Sequence, residues 1–161
     1  MFASSTPKAA AWMALLLLCG SASADTTCSL STGSVVFGSY DVFSPGSLDT
    51  SVPVIVTCSR EGGPQNINVT IGIGPGANGG STASRKMKML SGDLLNYNLF
   101  RDASKTSVWG QVPGVDAFTQ TLVIPNKSST QLSVTIFGRI PAGQDVQKGA
   151  YTDNVVLTVT P

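Results

Sequence analysis

The acidic side chains are the residues of this sequence with the most obvious potential for chemistry. Paired carboxylates can work as general acid and base, and seven aspartates are available to form such a pair. Nothing in their spacing indicates convergence, so loop capping and surface positions are the simpler interpretation. The sequence has no histidine, which excludes Ser-His-Asp and Cys-His nucleophile systems and histidine-based metal sites. We predict no enzymatic activity, no cofactor and no metal. The seven considered, out of eight aspartates in the sequence, are Asp41, Asp49, Asp93, Asp102, Asp116, Asp145 and Asp153.

One glycine-rich segment matches a phosphate-binding pattern. Residues 74–79 read G-P-G-A-N-G and follow a predicted strand. The dinucleotide fingerprint needs a helix that opens at its third glycine, because the helix N-terminus faces the pyrophosphate. Residues 81–85 have no amphipathic helical period, and the chain then returns to a strand pattern. The segment is therefore predicted to be a flexible connection between two strands.

The beginning of the chain predicts a secretory signal peptide, residues 1–24. Lys8 supplies a positive charge, an apolar stretch follows, and small residues up to Ala24 form a cleavage site. The stretch is shorter than the roughly 20 residues of a membrane-spanning helix. Cys19 raises lipidation as an alternative, but the leucine before it fits that processing poorly. We predict export, cleavage after Ala24 and a single domain over residues 25–161.

Two cysteines, Cys28 and Cys58, remain after this cleavage. Two cysteines in an oxidising compartment are expected to form a disulfide bond. On the loop-entropy model, closing about thirty residues stabilises a domain by roughly 3–4 kcal/mol. The alternative, a redox or catalytic pair, favours the close C-x-x-C spacing that is absent here.

The charge balance argues against nucleic acid as a partner. Without Lys8, nine basic and nine acidic residues remain, and charged residues make up only 12% of the sequence. Nucleic acid and anionic membrane surfaces both select for basic patches. Low charge on an exported chain also gives little electrostatic protection against association.

Alternating apolar residues predict an all-β fold. No segment keeps a 3.6-residue apolar period for three turns, whereas about seven short segments alternate with a period of two. Seven short strands in one domain predict an antiparallel sandwich of the immunoglobulin-like type. The predicted strands are Ser34 to Phe37, Val52 to Cys58, Ile67 to Ile73, Leu95 to Leu99, Thr121 to Ile124, Leu132 to Ile136, and Tyr151 to Thr160.

The last predicted strand bears most directly on function. Val155, Leu157 and Val159 alternate with more polar or outward-facing positions, as in a strand with one buried face. No further strand follows it in this sequence, so we expect an open apolar edge. Such an edge is a template for a strand from another protein. This pattern favours assembly over catalysis.

An ordered set of blocks resembles the spore coat protein U domain, which is shared with subunits of archaic chaperone–usher pili. Each block is weak alone, but together they span essentially the whole predicted mature chain. The blocks are Cys28 with Gly33 to Tyr40, Val54 to Cys58, Arg85 to Met87, Leu95 to Asp102 with Val108 to Gly110, Phe137 to Gln144, and Gly149 to Asp153.

The resemblance implies an incomplete sandwich whose final strand comes from a partner. In that family a periplasmic chaperone lends the strand, and an outer-membrane usher exchanges it for the extension of another subunit. The acceptor groove would use Val35 and Phe37 on one side and Val155, Leu157 and Val159 on the other. Leaving about five such positions exposed forfeits roughly 1.5–3 kcal/mol each, comparable with a domain's whole stability of about 5–15 kcal/mol.

The sequence departs from the polymerising pattern ahead of Cys28. Only three residues separate this cysteine from the predicted cleavage site, and they span at most about 10 Å. We therefore expect a subunit that accepts a strand without giving one, in a surface pilus or coat reached through the periplasm. The alternative is a tip adhesin, or a self-sufficient secreted sandwich that binds a surface or glycan.

Overall fold

The computed structural model describes residues 25–161, and these form nine β-strands with no helix among them. The predicted signal peptide and Cys19 lie outside the described residues. The strands are β1 (Thr26–Thr32), β2 (Leu48–Arg60), β3 (Gln65–Ile73), β4 (Arg85–Met89), β5 (Leu94–Phe100), β6 (Phe118–Ile124), β7 (Ser128–Ile140), β8 (Tyr151–Thr152) and β9 (Leu157–Thr160).

Two antiparallel sheets pack against each other around one apolar core. The larger sheet has the order β1-β2-β7-β5-β4-β8, and the smaller has the order β6-β3-β9. Every strand pairing is antiparallel. The predicted all-β, immunoglobulin-like architecture is confirmed.

The longest ladder joins β2 to β7. It runs from the pair Leu48 and Ile140 to the pair Arg60 and Ser128 without interruption. Val54 and Val56 alternate with exposed neighbours and are fully buried, as their period of two predicts. β1 lies on the outer side of β2, and the predicted disulfide joins Cys28 to Cys58 across this pair of strands.

The smaller sheet also follows the alternation. Ile67, Val69, Ile71 and Ile73 of β3 point into the core, and all four are at least nine-tenths buried. β3 is the central strand, with β6 on one side and β9 on the other. The pairing with β9 covers only the end of β3, from Thr70 to Ile73.

The prediction of a first strand at Ser34 to Phe37 is wrong. The first strand is β1, and residues 33–40 after it run as irregular backbone. The hydroxyl of Thr50 donates a hydrogen bond to the carbonyl of Val36 at 2.8 Å, so a side chain satisfies this backbone group in place of a ladder. Gly38 then takes a positive φ of 84°, which interrupts the extended chain.

The predicted strand from Tyr151 to Thr160 divides in two. β8 pairs with β4 in the larger sheet, whereas β9 pairs with β3 in the smaller one. The chain therefore crosses from one sheet to the other between Thr152 and Leu157. Periodicity alone indicates the faces of such a segment and not the sheet to which each half belongs.

Arg85 is fully buried at the start of β4, where it joins the two sheets. Its guanidinium donates to the carbonyls of Ile73, Gly74, Thr82 and Trp109, and to the Asn98 side chain, at 2.7–3.0 Å. Burial lowers the pKa of Arg85 from its ordinary value, and the negative charges of nearby groups oppose that shift. Trp109 is buried in this part of the core, and its indole donates to the carbonyl of Ile71.

Candidate functional site

A groove opens between the two sheets along one side of the sandwich. It is a cleft of about 420 Å³. One wall is the irregular segment of residues 33–37, which we call the N-terminal lip. The other wall is formed by residues 153–157, which belong to the segment of residues 153–160 that we call the C-terminal lip. The floor consists of core side chains such as Ile73, Leu99 and Ile136.

The N-terminal lip is held against the larger sheet by Phe37. The end of its ring lies over Gly138 of β7, where even a Cβ atom would come within 2.8 Å of it. The same ring meets Tyr97 edge-to-face, with ring centroids 5.8 Å apart. The lip is therefore anchored by an aromatic side chain and not by a backbone ladder.

The C-terminal lip contains β9, whose backbone is paired on one side only. In the described part of the chain, β9 is an edge strand of the smaller sheet. The amide of Gly74 donates to the carbonyl of Val156 at 2.9 Å, just before the strand begins. Antiparallel pairs alternate, so the backbone groups of Leu157 and Val159 point away from β3. Leu157 also lines the groove. Their side chains point into the core at the same time.

Tyr97 spans the floor of the groove and connects the two lips. Its ring packs on Phe37 of the N-terminal lip, and its hydroxyl donates to the Oδ2 atom of Asp153 at 2.8 Å. Burial is the main cause that raises the pKa of Tyr97 above its usual range, and the Asp153 carboxylate adds to it. Tyr97 therefore stays a neutral hydrogen-bond donor across the physiological range.

A second cleft of about 770 Å³ continues the groove toward the end of the sandwich that carries the β4–β5 turn. The two clefts are adjacent, because both are lined by the same four residues, Val35, Phe37, Met87 and Tyr151. Phe43 lies in the lining of the second cleft and is 91% exposed. Together the clefts make an extended, mostly apolar channel, and an extended segment of chain fits this shape better than a compact small molecule does.

Four of the five predicted groove residues line the same cleft. Val35 and Phe37 lie on one lip, and Val155 and Leu157 lie on the other. Val159 is partly buried against the core farther along β9, outside the lining of this cleft. Whether a partner strand touches these five residues stays a prediction.

Sequence reasoning missed two polar residues of the groove, Tyr97 and Asp153, which meet across it. Arg139 does not reach Asp153, because it pairs with Asp49, with its Nε atom 2.7 Å from Oδ1. The sequence signal that could have found Tyr97 and Asp153 is that they lie within the blocks Leu95 to Asp102 and Gly149 to Asp153.

Other kinds of site find no support in residues 25–161. No group of three or more metal-ligating side chains comes together there. No helix of the described chain is long and apolar enough to cross a membrane. The G-P-G-A-N-G segment joins β3 to β4 and no helix follows it, as predicted.

The fold and the groove define a class of protein: an immunoglobulin-like sandwich with a long apolar channel beside an edge strand that is paired on one side. The model of the Spore Coat Protein U domain matches residues 14–158, nearly the whole sequence. The chain belongs to this family, which is one of coat proteins and not of enzymes. The matched range begins inside the predicted signal peptide, so the boundary at Ala24 stays a prediction.

Two individual proteins are similar to the chain. Protein U of Myxococcus xanthus is 29% identical over 143 residues, which cover 80% of this chain and 72% of that protein. A solved chaperone–tip adhesion subunit pre-assembly complex, from the archaic chaperone-usher Csu pili of Acinetobacter baumannii, has a chain that is 19% identical with a TM-score of 0.45. The match covers 83% of this chain and 39% of that one.

Proposed function

We propose that this protein is a secreted structural subunit of a surface pilus or coat that is assembled by donor-strand complementation. A periplasmic chaperone would insert a strand into the groove, and an outer-membrane usher would exchange it for a strand of another subunit. The chain would pass through the periplasm and end in a fibre or coat on the cell surface.

The observation that carries this proposal is the open edge of β9 beside an apolar channel. The backbone amides and carbonyls of Leu157 and Val159 point away from β3, at the edge where a further strand could pair with them. The side chains of Val35, Phe37 and Leu157 offer apolar contacts to the same strand. Main-chain hydrogen bonds give affinity in this kind of recognition, and pockets for alternate side chains give specificity.

The charge distribution supports an apolar strand as the occupant. The lining of the 420 Å³ cleft contains one charged side chain, Asp153. Its carboxylate is already engaged by Tyr97 and by neighbouring backbone amides. An occupant with acidic side chains would be desolvated there without a partner, whereas one with alternating apolar side chains would be accommodated.

The first test compares expression with and without the chaperone. We expect the chain expressed alone in a periplasm to aggregate or to be degraded, because the groove exposes apolar surface. Co-expressed with the chaperone of an archaic chaperone–usher system, preferably one encoded beside it, the chain should purify as a one-to-one complex. A lone monomer that folds cooperatively would contradict the proposal and would favour a self-sufficient binding module.

A matched pair of variants makes this test specific to the groove. Leu157→Asp places a carboxylate where the groove lining meets the core. We expect roughly a hundredfold loss of chaperone binding, because an inserted strand would bury this unpaired charge, which costs several kcal/mol. Val156→Asp changes the next residue of the same lip, whose side chain is 70% exposed on the other face. It should bind normally, and equal losses in both variants would contradict a groove-centred interaction.

A further inference from the structure

The glycine-rich segment of residues 74–80 binds an anion that the chain itself supplies. The Oδ1 atom of Asp153 accepts hydrogen bonds from the amides of Ala77 and Asn78, at 2.9 and 3.3 Å. It also accepts from the Asn78 side chain at 3.0 Å and from the amide of Asn154 at 2.9 Å. Successive backbone amides that converge in this way form a concave site for a negative charge.

Gly76 is the glycine that makes this arrangement possible. Its φ is +90°, a conformation that L side chains rarely adopt. A Cβ atom at this position would also overlap the Oδ2 atom of Asp153. Both the backbone conformation and the close approach of the carboxylate therefore require glycine.

Asp153 lies where the chain crosses between the sheets. β8 ends at Thr152, and β9 begins at Leu157. Between them, the carbonyl of Asn154 accepts from Ala77 at 2.9 Å, so the main chain follows the side chain onto the same glycine-rich segment. This contact sets where the C-terminal lip leaves the larger sheet and therefore sets the width of the groove beside it.

The Asp153 carboxylate connects this crossing to the opposite lip. Its Oδ2 atom accepts from Tyr97, whose ring packs on Phe37. Asp153 takes part in no ion pair within residues 25–161, so the anchor depends on these hydrogen bonds. The two lips of the groove are thus tied through one aromatic ring and one carboxylate.

We infer that Asp153 is a positioning residue for strand acceptance: held by the glycine-rich segment, it keeps the C-terminal lip at the spacing that an inserted strand needs. This inference rests on the proposed function. It assigns the G-P-G-A-N-G segment a role in shaping the groove, in place of a flexible connection. Loosening the anchor should weaken the hold on a strand more than it weakens the two sheets.

The test measures how fast an inserted strand is released. The wild-type complex with its chaperone is challenged with a labelled synthetic peptide in which valine and threonine alternate, and the release of chaperone is followed. We expect Asp153→Ala to release the chaperone about tenfold faster, since most changes in affinity appear in the dissociation rate. Asp153→Asn should stay close to wild type, because its amide keeps an acceptor for the glycine-rich segment and can pair with Tyr97.

Two further variants keep the inference falsifiable. Tyr97→Phe keeps the ring against Phe37 and removes only the hydrogen bond to Asp153, so it should accelerate release in the same direction by a smaller factor. If Asp153→Ala fails to accumulate, the release rate of Tyr97→Phe alone tests the positioning role of Asp153. Asp102→Ala is the matched control, because Asp102 also accepts several hydrogen bonds from its own loop but does not line the groove.

The outcomes separate this inference from the proposed function. If the wild-type chain forms no complex with the chaperone, the proposed function fails. If the wild-type complex forms and Asp153→Ala and Tyr97→Phe both release the chaperone at the wild-type rate, the positioning role is wrong and the proposed function stands. Faster release by Asp102→Ala, equal to that of Asp153→Ala, would also overturn the inference, because the effect would then not be specific to the groove.

Discussion

The pairing of β2 with β7 and the pairing of β9 with β3 differ in length and in the number of backbone partners. β2 and β7 are 13 residues each and pair along their whole lengths, and β1 is fastened beside them by a disulfide bond. Within residues 25–161, β9 has 4 residues and pairs on one side only. Segments with few backbone partners open locally at lower free energy than long, doubly flanked ladders do.

This difference indicates that the two regions of the sandwich have different roles. The closed region stabilises the domain, whereas the groove region leaves backbone groups and apolar side chains for another strand. A strand added to β9 would extend the short ladder and cover the channel at once. We therefore expect changes in the closed region to affect stability, and changes in the groove to affect partner binding.

The largest effect expected from the closed region is that of removing the disulfide bond. The double substitution of Cys28→Ser and Cys58→Ser should lower the free energy of unfolding by about 2–4 kcal/mol, because it releases the loop between β1 and β2 in the unfolded state. Pulse proteolysis in urea, with the chain followed on a gel, measures this change in the purified chaperone complex. Stability unchanged by this double substitution would contradict the assignment of the closed region as the stabilising one.

A smaller effect is expected from Asp49, which lies at the start of β2. Hydrogen bonding to Arg139 lowers the pKa of Asp49 from 3.8 to about 2, and Lys105 at 3.0 Å contributes as well. A lowered carboxylate pKa stabilises the folded state above the ordinary pKa, and this stabilisation is lost as the pH falls through the folded value. Because the pair is partly exposed, we expect less than about 1 kcal/mol.

Comparison of wild type with Asp49→Asn between pH 5 and 2 checks this prediction, with the pH range set by the two pKa values of Asp49. The difference in free energy of unfolding should be constant near pH 5 and should shrink as the pH falls toward 2. A difference that grows on acidification would contradict the assigned direction. Partner binding should not depend on Asp49, since its carboxylate does not line the groove.

The sequence predicted the regular parts of the fold because their signals are local. Alternation in β3 gave both the strand and its buried face correctly. In the last segment alternation gave the inward-facing side, but not the break between β8 and β9 that leaves Val155 outside a strand. The N-terminal lip was predicted as a strand, since its residues also alternate, but a hydroxyl of Thr50 replaces the ladder there. β1 went unrecognised because its run of threonine and serine carries little apolar signal.

The sequence predicted the apolar residues of the groove but not its polar contacts. Alternation marks Val35 and Leu157 as apolar positions, and the resemblance to the spore coat protein U domain implied that they meet in one groove, as the cleft shows. The contact of Asp153 with Ala77 joins residues 76 positions apart, and it depends on the positive φ of Gly76. A glycine pattern in the sequence indicates an unusual backbone, but it does not say which anion the backbone will meet.

Hydrogen–deuterium exchange on the chaperone complex and on the chain released from it tests the central claim, that β9 accepts a strand from a partner. We expect complex formation to slow exchange at the amides of Leu157 and Val159, which point away from β3 at the edge of the smaller sheet, while the amides of the β2–β7 ladder change little. Fast exchange at both amides in the complex, with protection confined to other surfaces, would contradict the account.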